Sequence, residues 1–286
     1  MGLGRSLAGV IEINTGKTRV RHQKPKRIFS HERMIGSLIV YLTIPVFLSI
    51  FSNVKQLIPV INPFSWDTTF MRLDYVLHGR EHPWILIQTF LGYPSATKAL
   101  DYFYVSWFLF LFTSLIWMGW SRRRLLRARF FTSFVLIWVL VGIFMATVFS
   151  SAGPCYYSDV TSEVNPYGPL MSYLNAIHEN GFLFARRFQR GLWEAYSDNV
   201  ILLFGGISAM PSVHVATAVL YALVGWRINR AFGTLLILYA IILQIGSVHL
   251  GWHYAIDGYA GAILAGMIWK GSKWLVLVPE DDGQSA

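Results

Sequence analysis

Six stretches of this chain are apolar for about the length a helix needs to cross a bilayer, and this constrains the fold more than any other feature. A spanning helix takes roughly 20 mainly apolar residues. The windows are residues 34–53, 102–120, 130–149, 210–226, 231–249 and 254–274. The last two run almost together, but about 44 residues at 1.5 Å each make two crossings rather than one long helix. His249, Gly251 and His253 interrupt the apolar run and mark the turn. Charged residues make up only 14% of the chain, against about 25% in soluble domains, so lipid must cover much of the surface. The expected fold is an all-α integral membrane protein, a six-transmembrane-helix bundle over residues 34–274. A basic segment (1–33) precedes it and an acidic tail (275–286) follows.

The basic residues orient the bundle. With Met1 inside, 17 of the 24 Lys and Arg fall in cytoplasmic segments and seven outside, as the positive-inside rule requires. The expectation is a multi-pass protein of the inner or plasma membrane, with both termini cytoplasmic. The net charge of +9 is thereby a topology signal, in clusters at 19–27 and 122–129, and the chain carries no nucleic-acid-binding module. A single cysteine, Cys155, excludes an internal disulfide.

Two outer segments are long. In 54–101, Ser65 is placed to cap a helix carrying Phe70, Leu73, Val76 and Leu77, which Gly79 ends. Pro83 opens a second short helix through Phe90. Both are expected to lie at the extracytoplasmic interface or to cover the bundle. The second segment, 150–207, is rich in Gly, Pro, Asn and Tyr and carries Arg186, Arg187 and Arg190.

The orientation puts His214, His249 and His253 at the outer ends of spans. Asp257 follows His253 by four residues, on the same helical face. Ionisable groups at membrane depth cost a few kcal/mol and commonly mark function. A carboxylate at this spacing fixes one imidazole nitrogen and leaves the other as nucleophile or base. His214 is then a separate acid or base for a leaving oxygen. Ser212, at the start of the same helix, offers a hydroxyl and free backbone N–H groups to an anion.

Pro211-Ser212-Val213-His214 and His253-Tyr254-Ala255-Ile256-Asp257 resemble the second and third motifs of the type 2 phosphatidic acid phosphatase superfamily, which read Pro-Ser-Gly-His and Ser-Arg, five residues, His, three residues, Asp. Their separation and the six-span layout match too, over roughly residues 100–270. The resemblance implies a membrane lipid substrate and a phosphohistidine intermediate. It makes His253 the nucleophile, Asp257 the residue that orients it, and His214 the proton donor to the leaving group. No cofactor and no metal is implied.

The departures also inform. The first motif, Lys, six residues, Arg-Pro, is absent, and Gly246-Ser247 stands where the third motif has Ser-Arg. The pattern resembles the branch containing inositol phosphorylceramide synthases, with Gly153-Pro154 and the following tyrosines as a substitute first motif. That implies a phosphotransferase of inositolphosphotransferase type. A lipid phosphate phosphatase uses the same three residues and differs only in taking water as acceptor. Ser212, His249 and Arg187 are the expected substrate contacts, with the missing cations favouring a phosphodiester of charge −1 over a monoester. Two other classes stay open: a metal site drawn from His214, His249, His253 and Asp257, and a non-catalytic lipid or ion carrier.

Overall fold

The computed structural model describes residues 31–202 and 205–276. The basic segment falls almost entirely outside the described residues, as does nearly all of the acidic tail. Every regular element among the described residues is helical. In chain order they are α1 (His31–Gln56), α2 (Ile58–Ile61), α3 (Asp67–Leu77), α4 (Pro83–Leu91), α5 (Pro94–Trp120) and α6 (Arg124–Leu136). A π-helical stretch, Ile137–Met145, leads into α7 (Ala146–Val148), and a 3₁₀ turn, Pro154–Tyr156, into α8 (Tyr157–Val160). There follow α9 (Gly168–Glu179), α10 (Phe184–Ser197), α11 (Val213–Ile228), α12 (Arg230–His249) and α13 (Ala255–Leu275).

Among the described residues, four helices are long and apolar enough to cross a membrane: Met34–Ile61, Pro94–Trp120, Arg124–Val148 and Arg230–His249. The apolar helix Val213–Ile228 has 16 residues, or roughly 24 Å at 1.5 Å per residue. The α13 helix is 21 residues long but carries Asp257, Lys270, Lys273 and four glycines, and is not among the four. Each expected window has a helix, with shifted ends. The window at 102 starts too late because Pro94 opens α5 two turns earlier, in a stretch that Lys98 and Asp101 make less apolar.

The outward faces explain the composition. Leu38, Leu42, Val46 and Ile50 repeat every four residues along α1 and are all more than half exposed. Leu235, Leu238 and Ile241, three residues apart on α12, are likewise more than half exposed. Such stripes are untenable in water and natural against acyl chains. Inside, Trp107, Phe134, Ile137, Leu220 and Trp269 belong to one continuous apolar core.

Three buried carboxylates knit one end of the bundle together. Asp67 accepts hydrogen bonds from Ala152 N (2.9 Å), Gly153 N (2.8 Å) and the Tyr254 hydroxyl (2.9 Å). Asp74 accepts from Ala255 N (2.7 Å) and Ile256 N (3.0 Å), buried donors that have no partner within the helix at the start of α13. Asp101 does the same for Phe184 N (2.7 Å) and Ala185 N (2.9 Å) at the start of α10. Burial pushes the Asp67 and Asp74 carboxyls above the usual range, and their N–H donors pull only part of the way back.

The α3 helix differs from expectation at its start. Ser65 does not cap it. The Ser65 and Trp66 N–H groups both bond the Ser150 carbonyl, at 3.1 and 3.2 Å, and the helix begins at Asp67. The α4 helix starts at Pro83 as read, while α9 and α10 lie in a segment where no helix was anticipated.

Candidate functional site

His253 lies in the turn between α12 and α13, and the chain reverses through Gly251, whose φ is +73°. Trp252 N and His253 N both donate to the Ser247 carbonyl, at 2.9 and 3.2 Å, which fixes the turn. Asp257, one turn into α13, places Oδ2 3.2 Å from His253 Nδ1 and accepts from Tyr254 N at 3.0 Å. One carboxylate thus caps the helix and holds the imidazole.

The other ring nitrogen, Nε2, lies 3.2 Å from Ser212 Oγ. Ser212 is the N-cap of α11 and accepts from Val215 N at 3.4 Å. One assignment satisfies this chain: Nδ1–H donates to Asp257, and the Ser212 hydroxyl donates to a bare Nε2. Ser212 is fully buried and is not among the cavity-lining residues described next, so its contact is with the histidine rather than with open space. Any group that His253 attacks must first take the place of Ser212 at Nε2.

His214, in the first turn of α11, has its ring centroid 6.3 Å from that of His253. Tyr104 stacks on it at 5.1 Å and Trp107 packs at 4.1 Å, with Trp107 Nε1 held 2.8 Å from Thr217 Oγ1. Among the described residues its ring nitrogens make no hydrogen bond, so they are open to a ligand oxygen.

Both histidines line a cavity of about 740 Å³. Its walls come from α1, α5, the π-helical stretch, α10 and the 205–211 segment. The lining mixes polar and apolar groups: Lys55, Arg187 and Arg190 on the one hand, Leu111, Trp138 and Gly142 on the other. Trp138 and Gly142 both come from the π-helical stretch, a geometry that recurs at functional sites.

The expected substrate contacts separate. Arg187 lines the cavity and is exposed. Arg186 turns away to Asn175 (2.9 Å) and Gln189 (2.7 Å). His249 does not reach the cavity: it is fully buried, with Nε2 2.8 Å from Thr97 Oγ1, which in turn meets the Tyr173 hydroxyl at 2.8 Å. Its position at the end of α12 points it toward α5. Among the described residues no three of His, Cys, Asp and Glu come together as a metal ion requires.

Gly153 occupies a strategic place. Its φ is +99°, and a Cβ there meets the Trp252 carbonyl oxygen at 2.7 Å and Ala209 Cβ at 3.1 Å. With Cys155 N donating to the Gly251 carbonyl (2.9 Å) and Ala209 N to the Ser151 carbonyl (2.9 Å), this loop clamps the histidine turn to the 205–211 segment.

The order and spacing of these residues have a counterpart among known proteins: the profile of the PAP2 superfamily matches residues 68–270, well over half of the chain. The chain belongs to the PAP2 superfamily. A search of curated proteins and a search of solved structures each return no match. PAP2 superfamily membership brings phosphatase or phosphotransferase-type activity, and the four long apolar helices make this member a membrane protein. The matched region takes in His214, His253 and Asp257 but not α1, which contributes a wall of the cavity.

Proposed function

We propose that this PAP2 superfamily member is a membrane-embedded lipid phosphotransferase of inositolphosphotransferase type, working through a phosphohistidine on His253. The observation that carries this reading is the relay Asp257–His253–Ser212, at 3.2 Å on each side of the imidazole, beside His214 on a cavity that Lys55, Arg187 and Arg190 also line.

The chemistry runs in two balanced steps. His253 Nε2 attacks the phosphorus of a lipid diester, the P–O bond to diacylglycerol breaks, and the leaving oxygen takes a proton from His214. Asp257 stabilises the charge that develops on the ring. An acceptor alcohol then gives its proton to His214 and attacks the same phosphorus, breaking the N–P bond and freeing His253. The Ser212 hydroxyl holds Nε2 until substrate arrives. The apolar side of the cavity suits acyl chains, which keeps the reacting phosphate at the level of the histidines. If water were the acceptor, the same residues would make a phosphatase. The preference for transfer rests on the motif departures and on Lys55, the one half-buried Lys or Arg among the described cavity-lining residues, which balances a −1 diester better than a −2 monoester.

We further propose six crossings, with α11 and α13 completing the bundle beside the four longer spans, the termini cytoplasmic and the site extracytoplasmic in the inner or plasma membrane. Adjacent helices of the six run in opposite directions, so that His214, His253 and Lys55 all fall at one end.

Purified protein in liposomes, given headgroup-labelled phosphatidylinositol or phosphatidic acid with an alcohol acceptor, tests the reading. The expected result is diacylglycerol release from the diester, with its labelled headgroup phosphate on the acceptor. Rapid phosphate release from phosphatidic acid with every diester inert would establish the phosphatase instead. Unchanged lipids in all arms would leave a carrier.

A further inference from the structure

The PAP2 match begins at residue 68, yet α1 supplies Phe51, Ser52 and Lys55 to the cavity that holds both histidines. Lys55 is half-buried and faces the same cavity as His214 and His253. Among the described residues it makes no hydrogen bond and no ion pair. A cation kept out of bulk water and without a counter-ion is costly unless a ligand supplies one.

The placement of Lys55 is built rather than incidental. Gln56 clamps the end of α1 to Leu202 from both sides, Nε2 donating to the carbonyl (2.9 Å) and Oε1 accepting from the N–H (2.8 Å), and Ser52 Oγ adds 3.3 Å to the same carbonyl. Gly206 then passes directly over the lysine stem. Its φ is +99°, and a Cβ there would meet Lys55 Cγ at 3.0 Å and Gln56 N at 3.1 Å. Only a glycine lets the 205–211 segment run this close, and that segment leads straight to Ser212 and His214.

We infer that Lys55, on the helix preceding the matched region, is the anion-binding residue of the site and takes over the phosphate charge in place of the cations missing from the motifs. Arg187 and Arg190 stand at the exposed side of the cavity, where water and salt screen them, and Arg190 is already engaged with Asn175 Oδ1 at 3.0 Å. The inference rests on the phosphoryl-transfer reading for its ligand class, a tetrahedral oxyanion, but its test does not depend on turnover.

The full chain in detergent is titrated with tungstate, a tetrahedral phosphate mimic, and binding is followed through the fluorescence of the cavity tryptophans Trp107, Trp138 and Trp252. A charge-assisted contact of this kind predicts that Lys55→Gln weakens tungstate binding about 10- to 100-fold. Lys55→Arg should restore most of it, which a merely structural role would not allow. Arg187→Gln should lower affinity only at low salt, and melting temperatures show whether each variant is folded. Unaltered tungstate affinity in folded Lys55→Gln, or no tungstate binding by the native protein, overturns the inference. Lys55-dependent tungstate binding with no lipid turned over sustains the inference and removes the transferase reading. Turnover with a Lys55-independent tungstate affinity does the reverse.

Discussion

His253 has one nitrogen on Asp257 and the other on Ser212, so its tautomer and its orientation are set by residues outside the cavity. Asp257→Asn keeps the shape but offers the wrong group to Nδ1, and kcat is expected to fall roughly 1,000- to 10,000-fold, with KM little changed. His253→Ala should lose at least as much, and the double variant little more, because the two act as one unit. Single-turnover assays on folded protein check both, and additive losses would mean that the residues act independently. Part of this was legible in the sequence: the four-residue spacing pairs His253 with Asp257, although His253 stands in the turn ahead of α13 and Asp257 reaches back to it as it caps that helix, rather than along a helical face. The rest depends on tertiary structure. His249 looked equivalent to its neighbours by position, yet rotation around α12 turns it to Thr97 instead of the cavity. Lys55 carried no motif at all, and the signal that marks it, the Gly205-Gly206 pair that lets α1 approach, lies about 150 residues away in the chain.

The elements around the site are tied by carboxylates that the sequence presents as surface charges on amphipathic or apolar stretches. Asp67, Asp74 and Asp101 find their backbone partners more than 80 residues on, a separation that no local pattern reveals. Hydropathy periodicity does find the helices carrying them, because that signal is local. Asp74→Ala strands the Ala255 and Ile256 N–H groups at the start of α13. The expected loss is about 2–4 kcal/mol, read as a lower melting temperature in detergent. Asp74→Asn should cost less, since it keeps an acceptor oxygen and removes the charge that burial penalises. Equal melting temperatures for all three proteins would show that α13 does not need this cap. Gly153→Ala probes the other support. Its Cβ collides with the Trp252 carbonyl and its φ of +99° is unfavourable for alanine, so kcat should drop at least about tenfold as the His253 turn shifts. Native activity in that variant would show that the clamp is dispensable.

Across the whole molecule, the apolar windows fix where six helices fall, but length and composition qualify only four of them as spans. Two are marginal for physical reasons: α11 has only 16 residues, and α13, which Gly261 lets approach the start of α11, is diluted by its four glycines and by Asp257. At Gly261 a Cβ would lie 2.5 Å from the Ser212 carbonyl oxygen, a measure of that closeness. Reporter fusions at residues 125 and 175 should report inside and outside respectively, following the distribution of Lys and Arg. An extracytoplasmic signal at 125 would invert the bundle and move the site to the cytoplasm. The most direct test of the whole account is to look for the covalent intermediate. Protein in liposomes is mixed with phosphorus-labelled phosphatidylinositol without acceptor, quenched, and mapped by mass spectrometry. The account predicts an acid-labile phosphoryl adduct on His253, with diacylglycerol released in equal amount and no adduct in His253→Ala. Consumption of the lipid with no label on His253, or with label on another residue, would contradict it.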